Sequence, residues 1–203
     1  MTEPSSDEHA RLIRAAWTVV RRSGFEGIKV QLVLKEAGLS ARTFYRHFAD
    51  KDSLLIALIE DEYGATARRL RKAVSEATDD PAAKVAAWIR EMLLAADDPA
   101  RTPRTRLFSS YHLLMGRFPG ALDRCMHMIL DPLENSIQQG QQAGVFSGDD
   151  PHEDAQQVGR LAAGALTEYL AGASESAGIE TVIDSTIRFS LRALRANASE
   201  AVQ

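Results

Sequence analysis

The segment from Ser40 to Phe48 concentrates side chains able to hold a polyanion. Around the apolar pair Phe44 and Phe48 stand Arg42, Thr43, Tyr45, Arg46 and His47, all donors to phosphate oxygens or base edges, with no acid among them. The charge of the whole chain is arranged about this segment. Residues 10–51 carry nine Lys or Arg against three acids, while residues 1–9 hold three acids and no Lys or Arg. Residues 52–203 hold 15 basic against 22 acidic residues, and the net charge is −4. A basic block on an acidic body points that block toward nucleic acid.

Two short helices must position these donors. An apolar-periodic stretch over Val30–Ala37 stops at Gly38, one apolar residue (Leu39) turns inward, and Ser40 caps a second helix over about 41–48. That is a helix-turn-helix arrangement, whose second helix can enter the major groove of DNA. A preceding helix is predicted over about Asp7–Ser23, with Ser5 and Glu8 spaced as a capping box and Gly24 as its stop. Its inward stripe is Leu12, Ile13, Ala16, Trp17 and Val20.

No stretch alternates with period two, and the i, i+3, i+4 spacing recurs throughout, so the fold class is all-α, with about nine helices. A long helix runs over about 51–77 behind Asp50. Asp80-Pro81, Thr102-Pro103 and Asp150-Pro151 each place a cap before a proline at the first helical position, opening helices over about 81–96, 103–117 and 151–172. Pro119-Gly120 opens one over about 119–143 that ends at Gly144, with Pro132 inside it as a kink. The last helix is predicted over about 179–197. The organisation is a head over residues 1–52 and a larger helical body over residues 53–203.

Composition and motifs exclude other classes. The 203 residues are 45% apolar and 26% charged, enough for a packed core. The longest apolar run, Leu54–Ile59, is far short of the roughly 20 residues that span a bilayer, and no secretory signal pattern opens the chain. A single cysteine, Cys125, allows no intrachain disulfide and suits the cytoplasm. His112, Cys125 and His127 do not assemble a metal site by spacing, because Cys125 and His127 point to different helix faces. There is no phosphate-binding Gly-rich loop, no G-x-S-x-G elbow and no placed carboxylate pair, so neither an enzyme nor a cofactor is expected.

The motif residues then carry a resemblance. Gly24-Phe25-Glu26-Gly27, Val33, Ala37-Gly38-Leu39-Ser40, Thr43-Phe44-Tyr45-Arg46-His47-Phe48, Lys51 and Leu54-Leu55 together resemble the N-terminal domain of the tetracycline-repressor (TetR) family, over the first quarter of the chain. The resemblance implies that Ala41, Arg42 and Thr43, behind Ser40, meet base edges, that Tyr45, His47 and Lys51 grip phosphates beside Arg46, and that Gln31 adds a backbone contact. Four positions depart from the pattern. Ile28 and Lys29 replace the usual Thr or Ser cap, Leu34 replaces Ala, and Arg42 stands where Gly or Pro is common. Arg at that point can be bidentate to guanine.

The same resemblance implies a ligand chamber in the body and a dimer contact through its last two helices. Candidate chamber residues are Trp88, Met92, Phe108, Tyr111, His112, Met115, Met126 and Ile129. Candidate dimer residues are Leu161, Ala165, Tyr169, Ile183, Ile187, Leu191 and Leu194, on helices whose apolar arc is wide enough to need cover on more than one side. The function expected is a ligand-responsive transcriptional regulator, a repressor in the usual case. It would bind a near-palindromic double-stranded DNA operator as a homodimer and be released by a small, mainly apolar effector. The alternative is a helical dimeric ligand-binding protein whose head has lost DNA binding.

Overall fold

Proline and side-chain caps set the helix starts in the computed structural model, which describes residues 4–24, 27–97, 116–172 and 178–196. Among the described residues there are eight helices and no strand: α1 (Pro4–Ser23), α2 (Val30–Ala37), α3 (Ala41–His47), α4 (Lys51–Glu76), α5 (Pro81–Leu94), α6 (Pro119–Gln142), α7 (Pro151–Leu170) and α8 (Ile179–Arg195). Ser40 Oγ accepts from the Thr43 N–H at 3.1 Å and Asp50 Oδ1 from the Ser53 N–H at 2.8 Å. Asp80 Oδ1 caps α5 through the Ala82 N–H, and Asp150 Oδ1 caps α7 through the Glu153 N–H. Each such cap is worth about 1 kcal/mol. Lys29 stands at the start of α2 without a side-chain cap, as the departure at positions 28–29 leads one to expect.

One expectation about helix bounds changes. α1 begins at Pro4, three residues before the expected start, because proline at the first helical position comes with its φ already set. Ser5 therefore lies inside the helix, and Glu8 turns away from a capping box to partners on α3. The helix expected over 103–117 lies outside the described residues except for Gly116 and Arg117. No helix among the described residues is long and apolar enough to cross a membrane.

The chain divides into two compact units, Met1–Glu62 and Tyr63–Gln203, with the division inside α4. In the first, Leu12, Ala16 and Trp17 of α1, Val33 of α2, Phe44 of α3 and Leu54, Leu55 and Leu58 of α4 are all essentially buried. Polar bonds fix how the helices meet. Trp17 Nε1 donates to Asp61 Oδ2 at 2.9 Å, and Arg22 pairs with Glu36 at 2.8 Å between α1 and α2. Arg11 Nη2 donates to the Ala37 carbonyl at 2.9 Å, placing a cation at the carbonyl end of α2, where the helix dipole favours one.

In the second unit α5 packs against α6, α7 and α8. Its buried row is Val85, Trp88, Ile89, Met92 and Leu93. Pro132, buried within α6, has no N–H for the carbonyl of Met128. At the next carbonyl, that of Ile129, the Trp88 indole N–H donates at 3.0 Å and ties α5 to this part of α6. Close approach is built on glycines. A Cβ at Gly159 would come within 2.7 Å of Leu130 Cδ2, and one at Gly140 within 2.1 Å of the Phe146 ring. Phe146, itself 4% exposed, folds the segment after α6 back onto that helix. Gly140→Ala is expected to destabilise the body by about 1–3 kcal/mol, the usual cost of overpacking, read as a lower urea midpoint with unchanged slope.

Candidate functional site

The head presents α3 through a turn that only a few backbones can make. Gly38 ends α2 with φ +62°, and its N–H donates to the Leu34 carbonyl. Leu39 follows half-buried, and Ser40 opens α3, where its Oγ also lies 3.0 Å from Thr43 Oγ1. Phe44 is fully buried and packs on Phe48 with ring centroids 5.5 Å apart, which leaves the opposite side of α3 facing outward.

On that outward side Ala41, Arg42, Tyr45 and Arg46 are exposed, while Thr43 is half-buried. Tyr45 is 62% exposed, with its ring edge-on to Phe44. Arg42 makes no hydrogen bond or ion pair among the described residues and is free to meet a ligand. Gln31 is exposed at the second position of α2, and Lys51, half-buried, is the first residue of α4. The sequence groups these residues with His47, but its ring has a different setting. The His47 side chain is only 7% exposed, its Nε2 is 3.2 Å from Glu8 Oε2, and His9 lies edge-on at 5.8 Å.

Arg46 Nη2 bonds the same Glu8 oxygen. These two partners, His47 first and Arg46 second, hold the Glu8 carboxyl below its usual pKa. His9 is pushed down by burial and then by the neighbouring His47. Asp50 is also lowered, chiefly by the backbone and side-chain bonds of Ser53. Glu8 is a residue that sequence reasoning missed in this role, since 38 positions separate it from Arg46.

The body holds a cavity of about 790 Å³ between α5, α6, α7 and Tyr63 of α4. Its apolar wall is Tyr63, Trp88, Met92, Met126, Ile129 and Leu130, which includes four of the eight residues expected there. The other four, Phe108, Tyr111, His112 and Met115, lie outside the described residues. The rest of the lining is polar or small, and much of it was not anticipated: Asp123, His127, His152, Gln156, Arg160, Thr167 and Glu168, with Gly159, Ala163 and Gly164.

The polar groups form a connected row. His152 Nδ1 is 2.8 Å from Glu134, its Nε2 is 2.8 Å from Gln156 Nε2, and Arg160 donates to Gln156 Oε1 at 2.8 Å. His127 stacks on His152 with centroids 6.1 Å apart. The Glu134 contact raises the His152 pKa. The repeat His152, Gln156, Arg160 at four-residue spacing is the signal that could have shown this face of α7.

The residues expected at a dimer contact divide into two groups. Ile183 and Leu194 are buried in the chain's own core, with Ile179, Thr186 and Ser190 on the same stripe of α8. Leu161 is exposed, and Ala165, Tyr169, Ile187 and Leu191 keep part of their surface. Phe189 is 52% exposed, with Arg192 over its ring. Tyr169 Oη bonds Asp97 at 3.2 Å.

Comparison with known proteins places this architecture. Residues 12–58, which contain the Gly38 turn and all of α3, match the model of bacterial regulatory proteins of the tetR family. The fatty acid metabolism regulator protein of Bacillus subtilis (strain 168) is 28% identical over 69 residues, which cover 34% of this chain and 36% of that protein. The chain is thus matched over about a third of that relative's length.

Among solved structures, a Rhodococcus sp. RHA1 protein of unknown function aligns over 93% of this chain and 96% of its own, with TM-score 0.79 and 23% identity. The transcriptional regulator FadR of Bacillus subtilis, in complex with stearoyl-CoA, aligns over 91% and 98% with TM-score 0.72 and 19% identity. At these identities the likeness is one of fold. The helix-turn-helix head over residues 12–58 is thus of the type found in bacterial regulatory proteins of the tetR family, and the all-helical chain that carries it shares its fold with the solved structures above.

Proposed function

We propose that the chain is a ligand-responsive transcriptional regulator that acts in the cytoplasm and, as a homodimer, represses from a near-palindromic operator. Residues 1–52 form its DNA-binding head, and residues 53–203 its ligand-binding and dimerisation body. The observation that carries this reading is the outward side of α3, where Arg42, exposed and without a partner among the described residues, and an exposed Tyr45 stand on a helix without acids. Recognition helices present their first turn to base edges, which assigns base reading to Ala41, Arg42 and Thr43 behind the Ser40 cap. Tyr45 further along α3, Gln31 on α2 and Lys51 at the N-terminus of α4 then meet the flanking phosphates, while Arg46 and His47, both held by Glu8, stand behind them.

The effector is an amphiphile. Its apolar part lies against Trp88, Met92, Met126 and Ile129, and its polar end meets the His127, His152, Gln156 and Arg160 row. A cavity of this size, with an apolar wall and polar groups beside it, is of the kind that holds a small molecule. The fatty acid regulator among the relatives and the stearoyl-CoA bound by FadR support an acyl-chain ligand. Dimer contact falls to the apolar surface left outside the core, Leu161, Ala165, Tyr169, Ile187 and Leu191, with Phe189. Ile183 and Leu194, buried within the subunit, support that surface from beneath.

Two measurements test the two ends of the molecule. Arg42→Ala is expected to cost about 1–3 kcal/mol on a preferred operator and to relax choice at one base pair. Lys51→Ala is expected to weaken binding to all duplexes alike and to flatten the log K against log salt slope by about 0.9, one phosphate contact. A panel of single-base operator variants checks both, and a uniform loss for Arg42→Ala would move that residue to the backbone. In the body, Met126→Trp is expected to fill the cavity and abolish the rise in melting temperature that a long-chain acyl ligand gives the unchanged chain. A full rise in the variant would place the site elsewhere.

A further inference from the structure

Glu8 lies on α1, yet its carboxylate meets the end of α3. Its Oε2 bonds Arg46 Nη2 and stands 3.2 Å from His47 Nε2. The Glu8 side chain is 25% exposed, whereas that of Arg46 keeps 58% of its surface. His9 closes the other side of His47 and rests on Phe48 at 5.0 Å. Helix chemistry does not require an acid here. With α1 beginning at Pro4, Glu8 falls in the second turn, beyond the positions where a carboxylate serves a helix start.

A carboxylate offers a guanidinium the same pair of acceptor oxygens as a DNA phosphate. We propose that Glu8 is an internal stand-in for phosphate: it neutralises Arg46 and holds His47 Nε2, so that the head meets DNA with less free positive charge than its sequence carries. It thereby lowers affinity for duplexes of every sequence while leaving Arg42 and Tyr45, which it does not touch, to select among them. Glu8 carries its negative charge at neutral pH as any glutamate does, and its bonds to His47 and then Arg46 favour that charged form further. This inference rests on the reading of the head as a DNA-binding domain.

The test is fluorescence anisotropy of the full chain on a random-sequence duplex at several salt concentrations. Glu8→Gln is expected to tighten binding ~3–10-fold near physiological salt and to steepen the log–log salt slope by about 0.9. Asp7→Asn removes the same charge one residue away, from a carboxylate 3.9 Å from Arg14, and is expected to change affinity less than about twofold. Arg46→Ala in the otherwise unchanged chain is expected to leave the slope within about 0.3, and in the Glu8→Gln background to remove the gain.

Weaker or unchanged binding by Glu8→Gln, an equal gain from Asp7→Asn, or a full contact's loss from Arg46→Ala alone each overturns the proposal. The Arg46→Ala arm decides it even if Glu8→Gln does not fold. An unchanged chain without salt-dependent duplex binding would overturn the regulator reading as well. Binding by the unchanged chain with no gain from Glu8→Gln would overturn only the role of Glu8.

Discussion

The left-handed backbone at Gly38 is the constraint on which the head depends. It ends α2 after eight residues and turns the chain so that Leu39 goes inward and Ser40 can cap α3. A Cβ at φ +62° would cost roughly 1 kcal/mol or more, although a Cβ there would meet only the Arg11 guanidinium, at 3.8 Å. The requirement is therefore one of backbone conformation and not of space. Arg11 reinforces it by bonding the last carbonyl of α2, next to the turn. Once the turn is set, burial of Phe44 and Phe48 fixes which side of α3 remains outside, and that side carries Arg42 and Tyr45.

The body is organised by a different defect. Pro132 interrupts the hydrogen-bond ladder of α6 next to the place where Trp88 donates to a backbone carbonyl. Trp88 and Ile129 then form part of the cavity wall, with flexible Met92 and Met126 beside them. A helix that pairs with its neighbour through an indole and a carbonyl is held at one point, and the space beside that point is what a ligand can fill. Close packing at Gly159 and Gly140 holds α7 and the segment around Phe146 against the same helix.

Local signals were legible in the sequence, because each concerns residues within one turn of each other. Ser40, Asp50, Asp80 and Asp150 all cap as their spacing requires, and Gly38 turns as its place requires. What could not be read joins distant positions or depends on which side is covered. Glu8 scanned as part of a local capping box, yet its partners are Arg46 and His47. His152, Gln156 and Arg160 stand at four-residue spacing on α7, and that spacing alone does not say whether a cavity or solvent lies beyond. Ile183, Ile187, Leu191 and Leu194 share one apolar arc in the sequence, but Ile183 and Leu194 are buried within the chain, while Phe189 faces out. An amphipathic helix shows that a face needs cover without showing whose side chains provide it.

The most direct test of the account is selection of bound sequences from random duplex DNA by the full chain, repeated with a long-chain acyl ligand present. The account predicts enrichment of two half-sites in near-palindromic order, spaced by about one helical turn or a multiple of it, with recovery falling when the ligand is added. Recovery of unselected sequence, or of a single unpaired half-site whose yield the ligand does not change, would contradict it.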